Sequence, residues 1–189
     1  MNEMATELQI GTIVSNILSG RLNLTPDFQR GEVWSTAKKQ KLIDSIIRGW
    51  KIPPIHVVKF DDKENDEVLD GQQRLTAIRD FYTNKFPIDG LIMPYNQMLY
   101  ELNGLFFSDL PNKIKFLFIE YSIIFITLTN FEPSEPAELF ERLNQPTHLT
   151  SAEKRNAYVG ETRNQIKHLV DIFIEEGASE ETIGFSNSR

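Results

Sequence analysis

Two kinds of apolar pattern alternate along this chain, and together they constrain its fold more than any other feature. In some stretches the apolar residues recur every three or four positions, which is the spacing of a helix that buries one face. In others they form short runs rich in β-branched and aromatic residues, which is typical of strands. Because neither pattern dominates, the sequence predicts a mixed α/β fold.

The predicted elements follow from these patterns and from capping residues. Ser35 is placed to cap a helix, and residues 150–153 form a capping box that opens another. Helices are predicted at 6–19, 35–48, 72–83, 111–119, 135–143 and 163–176. Strands are predicted at 22–24, 55–60, 67–69 and 121–129, with weak strand signals within 87–105. The strands at 55–60 and 67–69 flank a polar turn and are expected to pair as a hairpin.

The composition supports a folded domain and excludes several function classes. Of 189 residues, 40% are hydrophobic and 25% are charged, which is a globular balance. The net charge of −7 rules out a uniformly basic nucleic-acid coat. The absence of cysteine rules out a disulfide framework, a zinc–thiolate site and a thiol nucleophile. With no secretory signal and no apolar stretch long enough to span a membrane, a cytoplasmic protein is expected.

The sharpest candidate site is the motif Asp70-Gly71-Gln72-Gln73-Arg74, between a predicted strand and a predicted helix. Gly71 lets the backbone turn tightly and lets a ligand come close. The next three amides begin the helix without intrahelical acceptors, at the positive end of its dipole, which makes an anion site. Arg74 adds donors that suit phosphate. The alternative is a plain turn in which Asp70 caps the helix and pairs with Arg74.

Two further motifs have both functional and structural interpretations. Residues 26–34 place Gln29 and Arg30 in a loop before a helix, where they would cover a ligand. Alternatively, this is a surface loop whose aromatic side chains fill the core. Asn144, after the helix at 135–143, is either a binding residue or a C-cap.

Basic residues concentrate around the helix predicted at 35–48. Lys38, Lys39, Lys41 and Arg48 form either the solvated face of that helix or a contact surface for an anion such as DNA. Both interpretations stay open, because charge patterning alone does not separate them.

Several familiar catalytic motifs are absent from the sequence. It has no Walker A loop, no Gly-x-Gly-x-x-Gly loop and no Gly-x-Ser-x-Gly elbow. His56, His148 and His168 are far apart in sequence and lack metal-site spacing, so they are expected to be ordinary surface or boundary residues. No HNH-type nuclease cluster is visible.

Four segments stand in the order of a known family: residues 26–34, 42–60, 70–78 and 140–157. Over residues 8–176 the chain resembles the N-terminal domain, with its Asp-Gly-Gln-Gln-Arg motif, of GmrSD-type (modification-dependent) restriction endonucleases. That domain is similar to the ParB/sulfiredoxin-like superfamily. The resemblance implies a small mixed sheet with surrounding helices. It also implies a ParB-like nucleotide-binding core over 1–130 and a helical extension over 131–189, packed on the core and leading to a further C-terminal region.

The resemblance also implies a function: binding and hydrolysis of a nucleoside triphosphate with Mg²⁺. This activity would license an HNH-type nuclease domain or subunit to cut modified or phage DNA. Asp70, Gln73 and Arg74 are then catalytic, with metal ligands unassigned. The implied nucleotide-binding residues are Gln29, Arg30, Gly71, Gln72, Gln73, Arg74 and Asn144.

Two other functions stay open, as does homo-oligomer formation. One is a DNA-binding or sensor module without catalysis, in which Lys38, Lys39 and Lys41, together with Arg30 and Arg48, contact phosphates. The other is a scaffold whose amphipathic stretch at 163–176 docks the nuclease.

Overall fold

The computed structural model describes residues 1–24, 34–60, 64–132 and 135–143. Gln29, Arg30, Asn144 and the helices predicted from residue 150 onward lie outside these ranges. In chain order the elements are β1 (Asn2–Gln9), α1 (Ile10–Leu18), β2 (Leu22–Asn23), α2 (Thr36–Ile47), β3 (Ile55–Val58), β4 (Asp66–Asp70), α3 (Gln72–Tyr82), α4 (Gln97–Glu101), a 3₁₀ turn (Phe107–Asp109), α5 (Asn112–Glu120), β5 (Ser122–Thr129) and α6 (Glu135–Leu143).

The strands form one sheet in the order β1-β5-β3-β4-β2. β5 runs antiparallel to β1 and parallel to β3, while β3 and β4 form the predicted antiparallel hairpin. β2 closes the far edge with a short parallel pairing to β4. The prediction of a mixed α/β fold with a small mixed sheet is therefore confirmed.

The central strands bury side chains on both faces of the sheet. Ile55 and Val57 of β3 face the main core, which also contains the apolar stripes of α1, α2, α3 and α5. Val58 points the other way and packs with Leu69 and Leu128, against Leu139 of α6. Strand alternation thus places α1, α2, α3 and α5, together with Leu99 of α4, on one face and α6 on the other.

The first predicted helix is wrong in its amino-terminal part. Residues 2–9 form β1, which pairs along the whole of β5, from Asn2 opposite Thr129 to Gln9 opposite Ser122. The helix begins only at Ile10, whose backbone N–H still donates to Tyr121 O at 3.0 Å. Leu8 and Ile10 fit both the alternation of a strand and the spacing of a helix. Pairing with the distant strand β5 favours the strand up to residue 9.

The weak strand signals within 87–105 are also wrong, because no strand forms there. Instead Asn96 caps the short helix α4, its side chain accepting from Leu99 N at 3.1 Å. The two ends of the region are joined by backbone bonds of 2.9 Å, from Ile88 N to Leu105 O and from Gly104 N to Ile88 O. The remaining predictions within the described ranges agree with the structure to within a few residues, and Ser35 caps α2 as expected.

Contacts group Met1–Asn144 into one compact unit. This unit includes α6, although the boundary at residue 130 stays a prediction. Across the described ranges, no helix combines the length and apolar character that a membrane span requires.

A buried carboxylate joins α2 to α3. Asp80 is 5% exposed, and it accepts from Lys39 Nζ at 2.8 Å and from Arg79 Nη2 at 2.8 Å, with Lys85 Nζ at 3.3 Å. Burial raises the pKa of Asp80, but the hydrogen bonds and charges of these three cations outweigh it and hold that pKa at about 2, below the ordinary 3.8. The ionised form of Asp80 therefore stabilises the packing of α2 on α3.

We expect Asp80→Asn to lower the free energy of unfolding by about 2 kcal/mol at pH 7, because it leaves partly buried cations without their carboxylate. The native pKa is depressed, so the contribution of Asp80 is complete above 3.8 and is lost as the pH falls towards 2. Urea unfolding between pH 6 and pH 3 measures the difference, which shrinks with acidification. Asp109→Asn, at an exposed position, is the control. An equal loss of stability at both positions would contradict the stabilising role of the ionised Asp80.

Candidate functional site

The predicted strand-to-helix turn is present at one end of the sheet. β4 ends at Asp70, α3 begins at Gln72, and Gly71 between them has a left-handed conformation with φ 97°. The N-cap residue Gly71 has no side chain that could cap the helix, and the first backbone bond from this turn runs from Leu75 N to Gly71 O at 3.0 Å. The preceding amides stand at the positive end of an eleven-residue helix, which is the arrangement that attracts an anion.

Gly71 is required by close packing as well as by its backbone conformation. A Cβ atom there would lie 2.3 Å from Ile55 Cδ1 and 3.3 Å from Arg74 Nη2. The start of α3 therefore rests directly on β3 and on the Arg74 side chain. Any larger residue would displace the amides that form the candidate anion site.

Arg74 lies beneath the turn. Its side chain is buried, with Nη2 donating to Asp70 Oδ2 at 2.6 Å and Nη1 donating to Pro53 O at 2.7 Å. The structure thus contains the ion pair of the plain-turn interpretation, while the N-cap position itself is occupied by Gly71. Arg74 joins the segment before β3 to the end of β4.

His56 is a neighbour of Asp70 that the sequence interpretation missed. The register of the hairpin shifts beside it: Val57 lies opposite Val68, but His56 lies opposite Asp70, so that Leu69 is an extra residue in β4. This bulge brings His56 Nδ1 to 3.9 Å from Asp70 Oδ2. Bulges re-aim side chains beside functional sites, but nothing in the local sequence marks this one.

The surroundings of Asp70 favour its charged form. Burial raises the pKa of Asp70, but the neighbouring His56 side chain, the Arg74 charge and the Gly71 backbone together hold it below its usual value. Asp70 therefore carries a negative charge at neutral pH, and Arg74 balances it from below.

The two glutamines of the motif contact chain segments on either side of residues 25–33. Gln72 Nε2 donates to Leu24 O, at the end of β2, and Gln73 Oε1 accepts from Trp34 N at 3.1 Å, just before α2. The structure therefore places Leu24 and Trp34, the residues that flank 25–33, beside the first motif. Gln29 and Arg30 lie within that stretch, outside the described residues.

The three candidate DNA-binding lysines have different surroundings. Lys39 is paired with Asp80, and Lys38 Nζ lies 4.6 Å from the centre of the Trp34 ring. Lys41 is exposed on α2. Their predicted role in DNA binding stays a prediction.

A cavity of about 300 Å³ lies at the other end of β4 from Asp70. Apolar side chains such as Phe125 line it together with Arg21, Lys59 and Asp66. The predicted site residues of the described ranges are not in its lining, so it is separate from the turn.

These features define an α/β domain in which a helix begins at a glycine N-cap, with a partly buried ion pair below it. The family model described as the GmrSD restriction endonuclease, N-terminal domain, matches residues 10–160. This match covers more than half of the chain, which therefore belongs to that family, as the resemblance implied.

One solved structure with a similar fold is the crystal structure of the C-terminally truncated chromosome-partitioning protein ParB from Caulobacter crescentus complexed with CTP-γ-S. The two chains are 15% identical with a TM-score of 0.44, and the similarity covers 97% of this chain and 72% of that one. No curated protein matches the sequence.

We expect Gly71→Ala to lower the free energy of unfolding by about 2–4 kcal/mol, since it combines a left-handed conformation with overpacking against Ile55. Gly49→Ala is the matched control, because Gly49 also has a positive φ, of 74°, but open space around it. Its cost is expected to be about 1 kcal/mol.

Urea unfolding measures both variants. Adding Ile55→Val removes the Cδ1 atom that a Cβ at position 71 would strike, so the double variant is expected to lose less than the sum of the two single changes. Strict additivity would show that the contact with Ile55 is not what requires glycine.

Proposed function

We propose that this domain binds a nucleoside triphosphate, with the phosphates at the start of α3. The observation that carries the proposal is the start of α3, where the N-cap position is the left-handed Gly71 and so supplies no capping side chain. Its amides and the helix dipole supply positive potential without a flexible side chain. Because Asp70 and Arg74 neutralise each other, this potential comes from the backbone.

Membership of the GmrSD N-terminal domain family supports a regulatory role for this binding. In the proposal, triphosphate binding and hydrolysis control the cutting of modified or phage DNA by an HNH-type nuclease domain or subunit. Asp70 would orient the attacking water. Gln73 and Arg74 would hold the turn in the geometry that stabilises the phosphoryl group during its transfer. Gln29, Arg30 and Asn144 stay predicted contacts of the nucleotide.

The described residues fit a triphosphate better than they fit a metal held by the protein alone. In these ranges no group of three or more His, Cys, Asp or Glu side chains is arranged to hold an ion. Mg²⁺ commonly binds through substrate phosphates and one or two carboxylates, and Asp70 is the carboxylate at the turn. When bound, Mg²⁺ would neutralise charge on the phosphate oxygens.

Gln73→Glu tests the proposed anion site. The carboxylate keeps an acceptor for Trp34 N–H but adds a negative charge at the helix start. We expect the dissociation constant for the triphosphate to rise at least about tenfold, because like charges this close repel by on the order of 1–4 kcal/mol. Gln97→Glu is the control, since it adds the same charge at the start of α4.

The measurement is a calorimetric titration of the full chain with ATP, GTP, CTP and UTP in the presence of Mg²⁺. Phosphate release in the same samples separates hydrolysis from binding alone. Failure of the folded chain to bind any of the four, or equal affinity in the Gln73→Glu variant, would contradict the proposal.

A second candidate function is DNA binding, and the charge distribution around α2 favours it. Lys39, Arg79 and Lys85 share the Asp80 carboxylate, which leaves an excess of positive charge at this surface. Lys38 and Lys41 are exposed beside it. An excess of cations on one side of an acidic protein is suited to a phosphate backbone.

For this function, the logarithm of the DNA affinity is expected to fall linearly with that of the salt concentration. Replacing Lys38 and Lys41 by Ala would reduce the slope by about 2, because each lysine would no longer neutralise a phosphate. The control replaces two exposed lysines outside α2 by Ala, namely Lys59 after β3 and Lys113 in α5. Fluorescence anisotropy with a labelled duplex measures both slopes, and equal slopes in the two variants would remove α2 as the contact surface.

A further inference from the structure

We infer that Gln72 and Gln73 are positioning residues, which fix Leu24 and Trp34 at the two ends of residues 25–33 to the first turn of α3. Gln72 is the donor of one bond, to Leu24 O, and Gln73 is the acceptor of the other, from Trp34 N at 3.1 Å. The inference gives the two glutamines a role distinct from direct contact with a phosphate.

Their place in the helix explains why adjacent residues reach different elements. Successive side chains on a helix point about 100° apart and do not face each other. At the first two helical positions they also lean back towards the amino end of the helix. Gln72 therefore reaches the end of β2, while Gln73 reaches the start of α2.

Both anchored residues are themselves held in the fold. Leu24 is 6% exposed and belongs to the main core. Trp34 packs against the same core, its ring lies under Lys38 Nζ, and the next residue, Ser35, caps α2. Each glutamine thus bonds to a backbone group in a segment that the core also holds, so the two bonds add to this packing and tie both anchors to the Gly71 turn.

The polarity of the two bonds cannot be exchanged. Leu24 contributes a carbonyl oxygen, so position 72 must donate, whereas Trp34 contributes an N–H, so position 73 must accept. Glutamine can do either, but lysine can only donate and ionised glutamate can only accept. This difference separates anchoring from any effect of net charge.

The stretch between the anchors carries Gln29 and Arg30. That these residues reach a bound triphosphate rests on the proposed function, whereas the anchoring does not. Two measurements therefore test the inference, one without nucleotide and one with it.

The first measurement compares Gln72→Lys/Gln73→Glu with Gln72→Glu/Gln73→Lys. The two double variants have the same composition and net charge, but only the first keeps a donor at 72 and an acceptor at 73. Trypsin cleavage after Arg30 is followed by mass spectrometry in the full chain, with cleavage after Lys113 in α5 as the internal control for global unfolding.

We expect cleavage after Arg30 to be at least about tenfold faster in Gln72→Glu/Gln73→Lys than in its counterpart, with cleavage after Lys113 unchanged. Equal rates after Arg30 would overturn the inference. If the faster variant does not fold, Gln72→Met is compared with the unaltered chain, because it removes the donor at one anchor without changing the net charge.

The second measurement is a double-mutant cycle on triphosphate affinity with Gln72→Ala and Arg30→Ala. If Gln72 acts through the stretch that carries Arg30, the double variant loses less affinity than the product of the two single losses. Independent effects would show that Gln72 does not act through Arg30. If the unaltered chain binds no triphosphate, the proposed function fails. The trypsin cleavage rates after Arg30 alone then show whether Gln72 and Gln73 hold Leu24 and Trp34.

Discussion

The geometry of the candidate site depends on the ion pair between Arg74 and Asp70. A buried guanidinium donates at once to the Asp70 carboxylate and to Pro53 O, and so joins the segment before β3, the end of β4 and the first turn of α3. Arg74 is buried and Asp70 is partly buried, so removing Asp70 would leave the guanidinium without its compensating charge, which costs more than the pair contributes. Both residues are therefore needed for the turn to keep its shape.

The same ion pair determines where the electrostatic attraction of the site comes from. The pKa of Asp70 is lowered, so at neutral pH its negative charge and the positive charge of Arg74 largely cancel at the base of the turn. What remains is the field of the helix start, which would suit the phosphates of the proposed function but carries no information about a nucleobase. Discrimination between bases must then come from residues other than Gly71 and the amides that follow it.

The local part of this arrangement could be predicted from the sequence, because its signals lie within a few residues of each other. A glycine after a short strand predicted the turn, a polar stretch between apolar runs predicted the hairpin, and Ser35 predicted a helix start. The rest depends on pairing across the fold. β1 is a strand because β5 offers it a complete ladder, and His56 meets Asp70 because of a bulge at Leu69.

Each residue of the motif Asp70–Arg74 thus has a structural reason for its identity. Gly71 tolerates the left-handed conformation and the contact with Ile55, Arg74 and Asp70 form the buried pair, and the glutamines bond to two other segments. The side chains build the turn, and in the proposed function the backbone amides face the phosphates. In the proposed function, a substitution in this motif that adds no negative charge therefore acts on binding mainly by moving amides. A conservative replacement that keeps the charge but alters the geometry, such as Arg74→Lys, is then expected to be as disruptive as loss of the charge.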